Sequence, residues 1–230
     1  MEVSKRIGCI LDLVDKCDVL ADIGSDHAYV PIAAIKEGKC NYAIASDINK
    51  GPIEKAKKNV IANKLEDKIQ CRLGGGLTTL KENEVDSIIV AGMGGNLIRD
   101  IIEESLNVFN KLDYAILQPT QNPEVLRKYL IENGYEILQE DLCCEDNIYY
   151  EMIKVKCERG IPKKLEEIYY EISEKLLCEK HPVLKEYIEF KIMKNKNILE
   201  YLNGEGESVE KRRIHIEDKM CKMEGILKCL

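Results

Sequence analysis

The chain has 230 residues, a formal net charge of −7 and ten cysteines. That length can bury a proper core and is long for one compact domain, so one domain plus an appendage is expected. No apolar run approaches a membrane span, and Met1-Glu2-Val3-Ser4-Lys5-Arg6 lacks the apolar segment of a signal peptide, so a cytoplasmic protein with no membrane contact is expected.

In chain order, Ile7, Ile10, Leu11 and Val14 have helical spacing and precede a first strand near Val19. The run Val19-Leu20-Ala21-Asp22-Ile23-Gly24-Ser25-Asp26 closes on an acid and a glycine and leads into a helix, Pro31 to Glu37, that ends at Gly38. A second strand, Tyr42 to Ile48, closes on Asp47, 25 residues after Asp22, and a helical stretch from Gly51 to Asn63 follows. A third strand, Ile69 to Leu73, leads into Gly74-Gly75-Gly76. The fourth, Val85 to Ala91, leads into Gly92-Met93-Gly94-Gly95 and a helix from Leu97 to Leu106. The fifth, Tyr114 to Leu117, ends at Gln118-Pro119-Thr120-Gln121-Asn122-Pro123, and a helix from Glu124 to Asn133 follows. Two last strands, Tyr135 to Leu142 and Ile148 to Lys156, have no helical pattern between them and predict an antiparallel pair. This order is that of an α/β Rossmann-like sheet, mainly parallel, seven-stranded, with one reversed strand. Residues 1–160 form this domain, and residues 161–230, where Leu165, Tyr169, Ile172, Leu176 and later Leu184, Ile188 and Ile192 recur at helical spacing, form a coiled-coil-like extension of three helices.

In such a sheet ligands bind beyond the carboxyl ends of the strands, where every Gly- or acid-rich junction falls. A dinucleotide site needs bare backbone facing its pyrophosphate, but the second glycine position counted from Gly24 is Asp26. A carboxylate there repels phosphate and suits a phosphate-free ligand that carries an ammonium and a sulfonium charge, which points to S-adenosylmethionine. Asp47 stands where ribose hydroxyls are bound. An NAD-dependent dehydrogenase is the poorer reading for the same reason.

The cysteines form no C-x-x-C pair and are read as buried apolar residues in a reducing compartment, with no metal expected. The whole net charge lies in residues 1–160, while residues 161–230 balance and contain Lys191, Lys194, Lys196 and Lys211-Arg212-Arg213. Those cations read first as solvated helix faces paired with nearby glutamates, and second as an arm that grips a polyanion.

Three segments, Asp22-Ile23-Gly24-Ser25-Asp26-His27-Ala28-Tyr29-Val30-Pro31, Ala91-Gly92-Met93-Gly94-Gly95 and Leu117-Gln118-Pro119, together resemble the TrmK family of bacterial tRNA (adenine 22-N1)-methyltransferases, which also has a helical C-terminal extension. The resemblance implies a class I methyltransferase fold, S-adenosylmethionine as donor and an adenine in the D-arm region of tRNA as acceptor. On that basis Asp22, Gly24, Asp26, Asp47, Ile48, Gly75, Gly76, Ala91, Gly92 and Met93 are expected at the cofactor. Gly94, Gln118, Asn122, Lys194, Arg212 and Arg213 are expected at the tRNA, and Asp26, His27 and Tyr29 are the candidates nearest the chemistry. A monomer or weak homodimer is expected. A small-molecule methyltransferase and a non-catalytic nucleoside-binding scaffold are the alternatives from the residues alone.

Overall fold

A computed structural model of the chain describes residues 4–202 and 206–230. Its backbone falls into two compact units, Met1–Lys164 and Leu165–Leu230.

The first unit holds helices α1 (Lys5–Asp12), α2 (Tyr29–Lys36), α3 (Lys50–Ala62), α4 (Gly95–Glu104), α5 (Leu106–Phe109) and α6 (Pro123–Glu132). Its strands are β1 (Cys17–Ile23), β2 (Cys40–Asp47), β3 (Ile69–Leu73), β4 (Ser87–Gly94), β5 (Tyr114–Gln121), β6 (Tyr135–Glu145) and β7 (Ile148–Arg159). They form one sheet in the order β3-β2-β1-β4-β5-β7-β6. β7 runs antiparallel to both its neighbours and every other pairing is parallel, as the two helix-free final strands predict. The β6–β7 connection is the dipeptide Asp146-Asn147, with φ of 51° and 61°. Two consecutive residues of positive φ match the turn that right-twisted strands require, and Asp and Asn tolerate it.

Strand alternation builds two cores. Ile88, Val90, Ala115, Leu117, Ile153 and Val155 face α4 and α6 through Ile98, Ile102, Leu126 and Leu130. Ile89, Ile116 and Met152 face the other way, against α1, α2 and α3 through Ile10, Leu11, Ile32, Ala56 and Val60. Period-two side-chain alternation sends neighbours along one strand to opposite layers, which is why these strands read as continuous apolar runs. The sheet's carboxyl ends are left to the loops.

On the site side, β4 and β5 run past their predicted ends. β4 continues to Gly94 and β5 to Gln121, because Gly92, at φ +80°, lets the chain bulge and keep pairing past Ala91. A buried ion cluster also went unread: Arg127 of α6 donates to Glu140 of β6 at 2.9 and 2.6 Å and to Glu151 of β7 at 2.6 Å. It docks α6 on the terminal hairpin.

The second unit holds α7 (Glu167–Glu171), α8 (Glu174–Cys178), α9 (Leu184–Tyr201) and α10 (Glu207–Leu227). The expected first helix through Leu165 and Leu176 is two short ones. Ile172 is extended, at φ −120° and ψ 112°, and the Ser173 hydroxyl accepts from the Lys175 and Leu176 amides to start a new helix. Glu171 ties the unit together, accepting from Lys191 Nζ of α9 at 2.7 Å and Lys219 Nζ of α10 at 2.9 Å. Burial favours its neutral form, but the two ammonium groups outweigh that and hold its carboxyl down at about 2. A carboxyl lowered on folding contributes stability that is complete above its unfolded value, near 4.5, and is lost as pH falls toward 2. Glu171→Gln is therefore expected to cost about 1–3 kcal/mol at neutral pH and progressively less under acid, followed by thermal melting of the helical circular-dichroism signal between neutrality and pH 3.

Candidate active site

The turn after β1 is held by β2: the Gly24 and Ser25 amides both donate to the Ser46 carbonyl at 2.8 Å. Gly24 has φ +83°, and a methyl group on it would lie 2.3 Å from Met93 Cε. A glycine is therefore required by both conformation and space, and the β1 turn is brought directly against the loop that ends β4.

Asp22 is buried at the end of β1, between Ala45 of β2 and Ile89 of β4. Burial pushes its carboxyl up to about 6, helped by the nearby Asp47, while the Ser25 hydroxyl and the Arg6 guanidinium oppose the rise. Asp47 ends β2. Its Oδ1 accepts from the Asn49 amide at 2.7 Å, its carbonyl accepts from the Gly74 amide at 2.9 Å, and its second carboxylate oxygen has no hydrogen-bond partner among the described residues. Beside it Ile48 is 71% exposed, and a methyl group on Gly75 would come within 3.3 Å of Ile48 Cδ1. Together these residues make an apolar slot next to a carboxylate. Gly76, expected in that wall, has its open side against Ile101 of the core instead. The 3-10 turn Gly76–Thr79 begins there, at φ +52°.

Asp26, His27 and Tyr29 are brought together, with a partner from α3. Asp26 Oδ2 lies 3.1 Å from His27 Nε2 and its Oδ1 3.7 Å from Lys55 Nζ, and the His27 ring stacks on Tyr29 at 5.0 Å. Asp26 is thus already engaged by side chains on the exposed rim, whereas Asp22 and Asp47 stand at the strand ends.

On the β4–β5 side the structure corrects the expectation for Gln118. It is fully buried, its Oε1 accepts from the Gly92 amide and from Arg6 Nη1, each at 3.2 Å, and its Nε2 donates to the Pro119 carbonyl at 3.0 Å. An amide with both ends engaged inside the protein cannot read a base edge, so Gln118 shapes the Ala91-Gly92-Met93 turn. Arg6 itself was missed. Lys5 and Arg6 place two cations in the first turn of α1, against the helix dipole, and that is the one sign of it in the sequence.

Gly94 and Asn122 lie at the ends of β4 and β5, and Asn122 is exposed with φ +52°. Next to them Gly95 is pressed against the backbone: a methyl group there would lie 2.3 Å from the Asn122 carbonyl oxygen. Gly95→Ala must part these two loops. It is expected to destabilise the chain by about 1–3 kcal/mol, read by thermal denaturation.

Lys194 on α9 and Arg212 and Arg213 on α10 belong to the second unit. Lys194 and Arg212 are exposed, while Arg213 donates to the Leu202 carbonyl at 3.2 Å and sits 3.8 Å from Glu210. Among the described residues no cluster of three or more His, Cys, Asp or Glu side chains is placed to hold a metal ion, and no helix is long and apolar enough to cross a membrane.

A Rossmann-like sheet with a reversed strand beside β5, acids at the tips of β1 and β2, and no glycine-lined pyrophosphate turn defines a class I methyltransferase domain. The family model for TrmK, tRNA (adenine(22)-N(1))-methyltransferase, matches residues 20–225. The tRNA (adenine(22)-N(1))-methyltransferase of Bacillus subtilis is 37% identical over 153 residues, which span 66% of this chain and 64% of that protein. Among solved structures, the B. subtilis M1A22 tRNA methyltransferase TrmK superposes with a TM-score of 0.86 at 29% identity, covering 98% of this chain and 99% of the other. TrmK of M. capricolum in complex with the cofactor product S-adenosyl-homocysteine superposes at 0.85 with 27% identity, covering 99% of each. The chain belongs to the TrmK family.

Proposed function

We propose that this chain transfers the methyl group of S-adenosylmethionine to N1 of adenine 22 in tRNA, in the cytoplasm. The observation that carries the reading is the family match over residues 20–225, which takes in both the strand-end crevice and the helical unit.

The crevice fits the donor chemically. Gly24 and Gly75 bring bare backbone against Met93 and Ile48, closer than a side chain would allow, and the nearby ionisable groups Asp22 and Asp47 are acids that suit a cation and repel phosphate. Asp22 is assigned to the ammonium end, Asp47 to the ribose hydroxyls through its open oxygen, Ile48 with Gly75 to the adenine ring, and Ala91-Gly92-Met93 to the floor beneath the methyl group. When bound, S-adenosylmethionine supplies an electrophilic methyl group on a sulfonium centre.

What remains for the protein is geometry. The N1 lone pair of adenine is available at neutral pH, so attack needs no prior deprotonation. The N–C bond forms as the S–C bond breaks, and the positive charge passes to the methylated base. Holding the two reactants in line can remove about 7–11 kcal/mol of barrier. This accounts for a site built of shaped glycine turns. The target base must first leave its stack, at a cost of about a few kcal/mol. Gly94 and Asn122 are assigned to the rim it crosses, the stacked His27–Tyr29 pair to a platform beside it, and Lys194 and Arg212 to phosphates elsewhere on the tRNA. Mass-spectrometric mapping of a labelled methyl group on tRNA from a strain lacking the modification tests the reading: the label is expected on N1 of adenine 22, and a label at another position, or none, overturns it.

A further inference from the structure

We propose that Arg6, on the N-terminal helix α1, is a positioning residue of the methyl-transfer site that braces the ends of β4 and β5 through one guanidinium. The inference rests on the methyltransferase reading above. Arg6 Nη1 donates to Gln118 Oε1 at 3.2 Å, the same oxygen that accepts the Gly92 amide. A methyl group on Gly92 would lie 3.6 Å from Nη1, so the guanidinium lies directly against the bulged turn that forms the floor. The Arg6 side chain also lies over the Tyr150 ring of β7, 5.5 Å from its centre. The backbone beneath it is anchored: the Glu145 carboxylate at the end of β6 accepts from the Lys5 amide at 2.7 Å and the Arg6 amide at 3.4 Å, and the Ser4 hydroxyl caps the helix.

The Arg6 charge also bears on Asp22 at the end of β1, where it opposes the rise that burial and Asp47 of β2 impose, as does the Ser25 hydroxyl; the β4 neighbour of Asp22 is the apolar Ile89. Of these, Arg6 supplies the positive charge. Without it, burial and Asp47 would raise the Asp22 carboxyl further toward its neutral form, which cannot pair with an ammonium group. A planar guanidinium holds Gln118 while lying against the Gly92 turn, whereas a lysine supplies the charge without the fork.

Two consequences separate this role from simple helix packing. Donor binding by the parent chain is expected to weaken below about pH 6, where Asp22 takes up a proton, and to weaken separately above about pH 8, where the donor's own α-ammonium group loses its proton. In Arg6→Gln the acid-side inflection is expected to move up by about one pH unit, with affinity below it falling about tenfold per unit. In Arg6→Lys the inflection is expected to stay with the parent's while kcat falls at least tenfold, because the Gly92 turn has lost its fork.

The test is calorimetric titration of S-adenosylmethionine into the full chain and both variants between pH 5.5 and 8.5, with kcat measured on tRNA. An unchanged inflection in a folded Arg6→Gln, or parental kcat in Arg6→Lys, overturns the proposal, and the second arm decides it even where Arg6→Gln fails to fold. A parent that neither binds donor nor methylates tRNA defeats the methyltransferase reading, and this inference with it. An active parent with indifferent variants defeats the role of Arg6 alone.

Discussion

A chain ending at Lys164 is expected to bind S-adenosylmethionine within about threefold of the full chain and to methylate no tRNA. Both apolar cores lie within residues 10–157, so the sheet and its strand-end crevice need nothing from the second unit for their packing. Donor affinity, assigned to Asp22, Gly24, Asp47 and Ile48, travels with them. What the truncation removes is the unit with balanced charge and exposed cations at Lys194, Lys196, Lys211 and Arg212, whose assigned work is on the phosphate backbone. Binding that depends on phosphate contacts also weakens steeply with salt, so gel-shift affinity of the full chain for tRNA is expected to fall as salt is raised, and that of the truncated chain to be weak throughout. Full methylation by the truncated chain would remove the helical unit from substrate binding.

Asp47→Ala is expected to weaken donor binding by about 1–3 kcal/mol, roughly a 5- to 150-fold rise in Kd. One carboxylate oxygen is committed to the Asn49 amide and the other is open, so the alanine removes a charged acceptor at the ribose and also unlocks the turn that presents Ile48. Asp47→Asn keeps an acceptor for the turn and is expected to lose less. Calorimetry on the three proteins separates the two contributions, and parental affinity in Asp47→Ala would take this residue out of the site.

The elements that the sequence discloses best are those whose signal is local. β3 has the predicted bounds, Ile69–Leu73, and the reversed strand follows from two extended runs with no helix between them. Asp22, Gly24 and Asp47 are legible because an acid or glycine that closes an apolar run stands at a strand's carboxyl end by construction. Arg6 is not, because its partner Gln118 lies 112 residues away and no periodicity connects them. Gln118 was misread for the complementary reason: a polar residue at a strand end looks the same whether its amide faces a ligand or is consumed inside. The break at Ile172 within α7–α8 was hidden because Leu165, Tyr169, Ile172 and Leu176 keep their spacing across it. Apolar spacing reports which residues share a face, and the Ser173 cap decides where the helix restarts.

The proposed function requires a crevice whose acids admit a cationic, phosphate-free methyl donor. Side-by-side calorimetric titration of the full chain with S-adenosylmethionine and with NAD tests this most directly. Saturable binding of the sulfonium donor with no heat from NAD is the expected result; tight binding of NAD, or no binding of the donor, would contradict it.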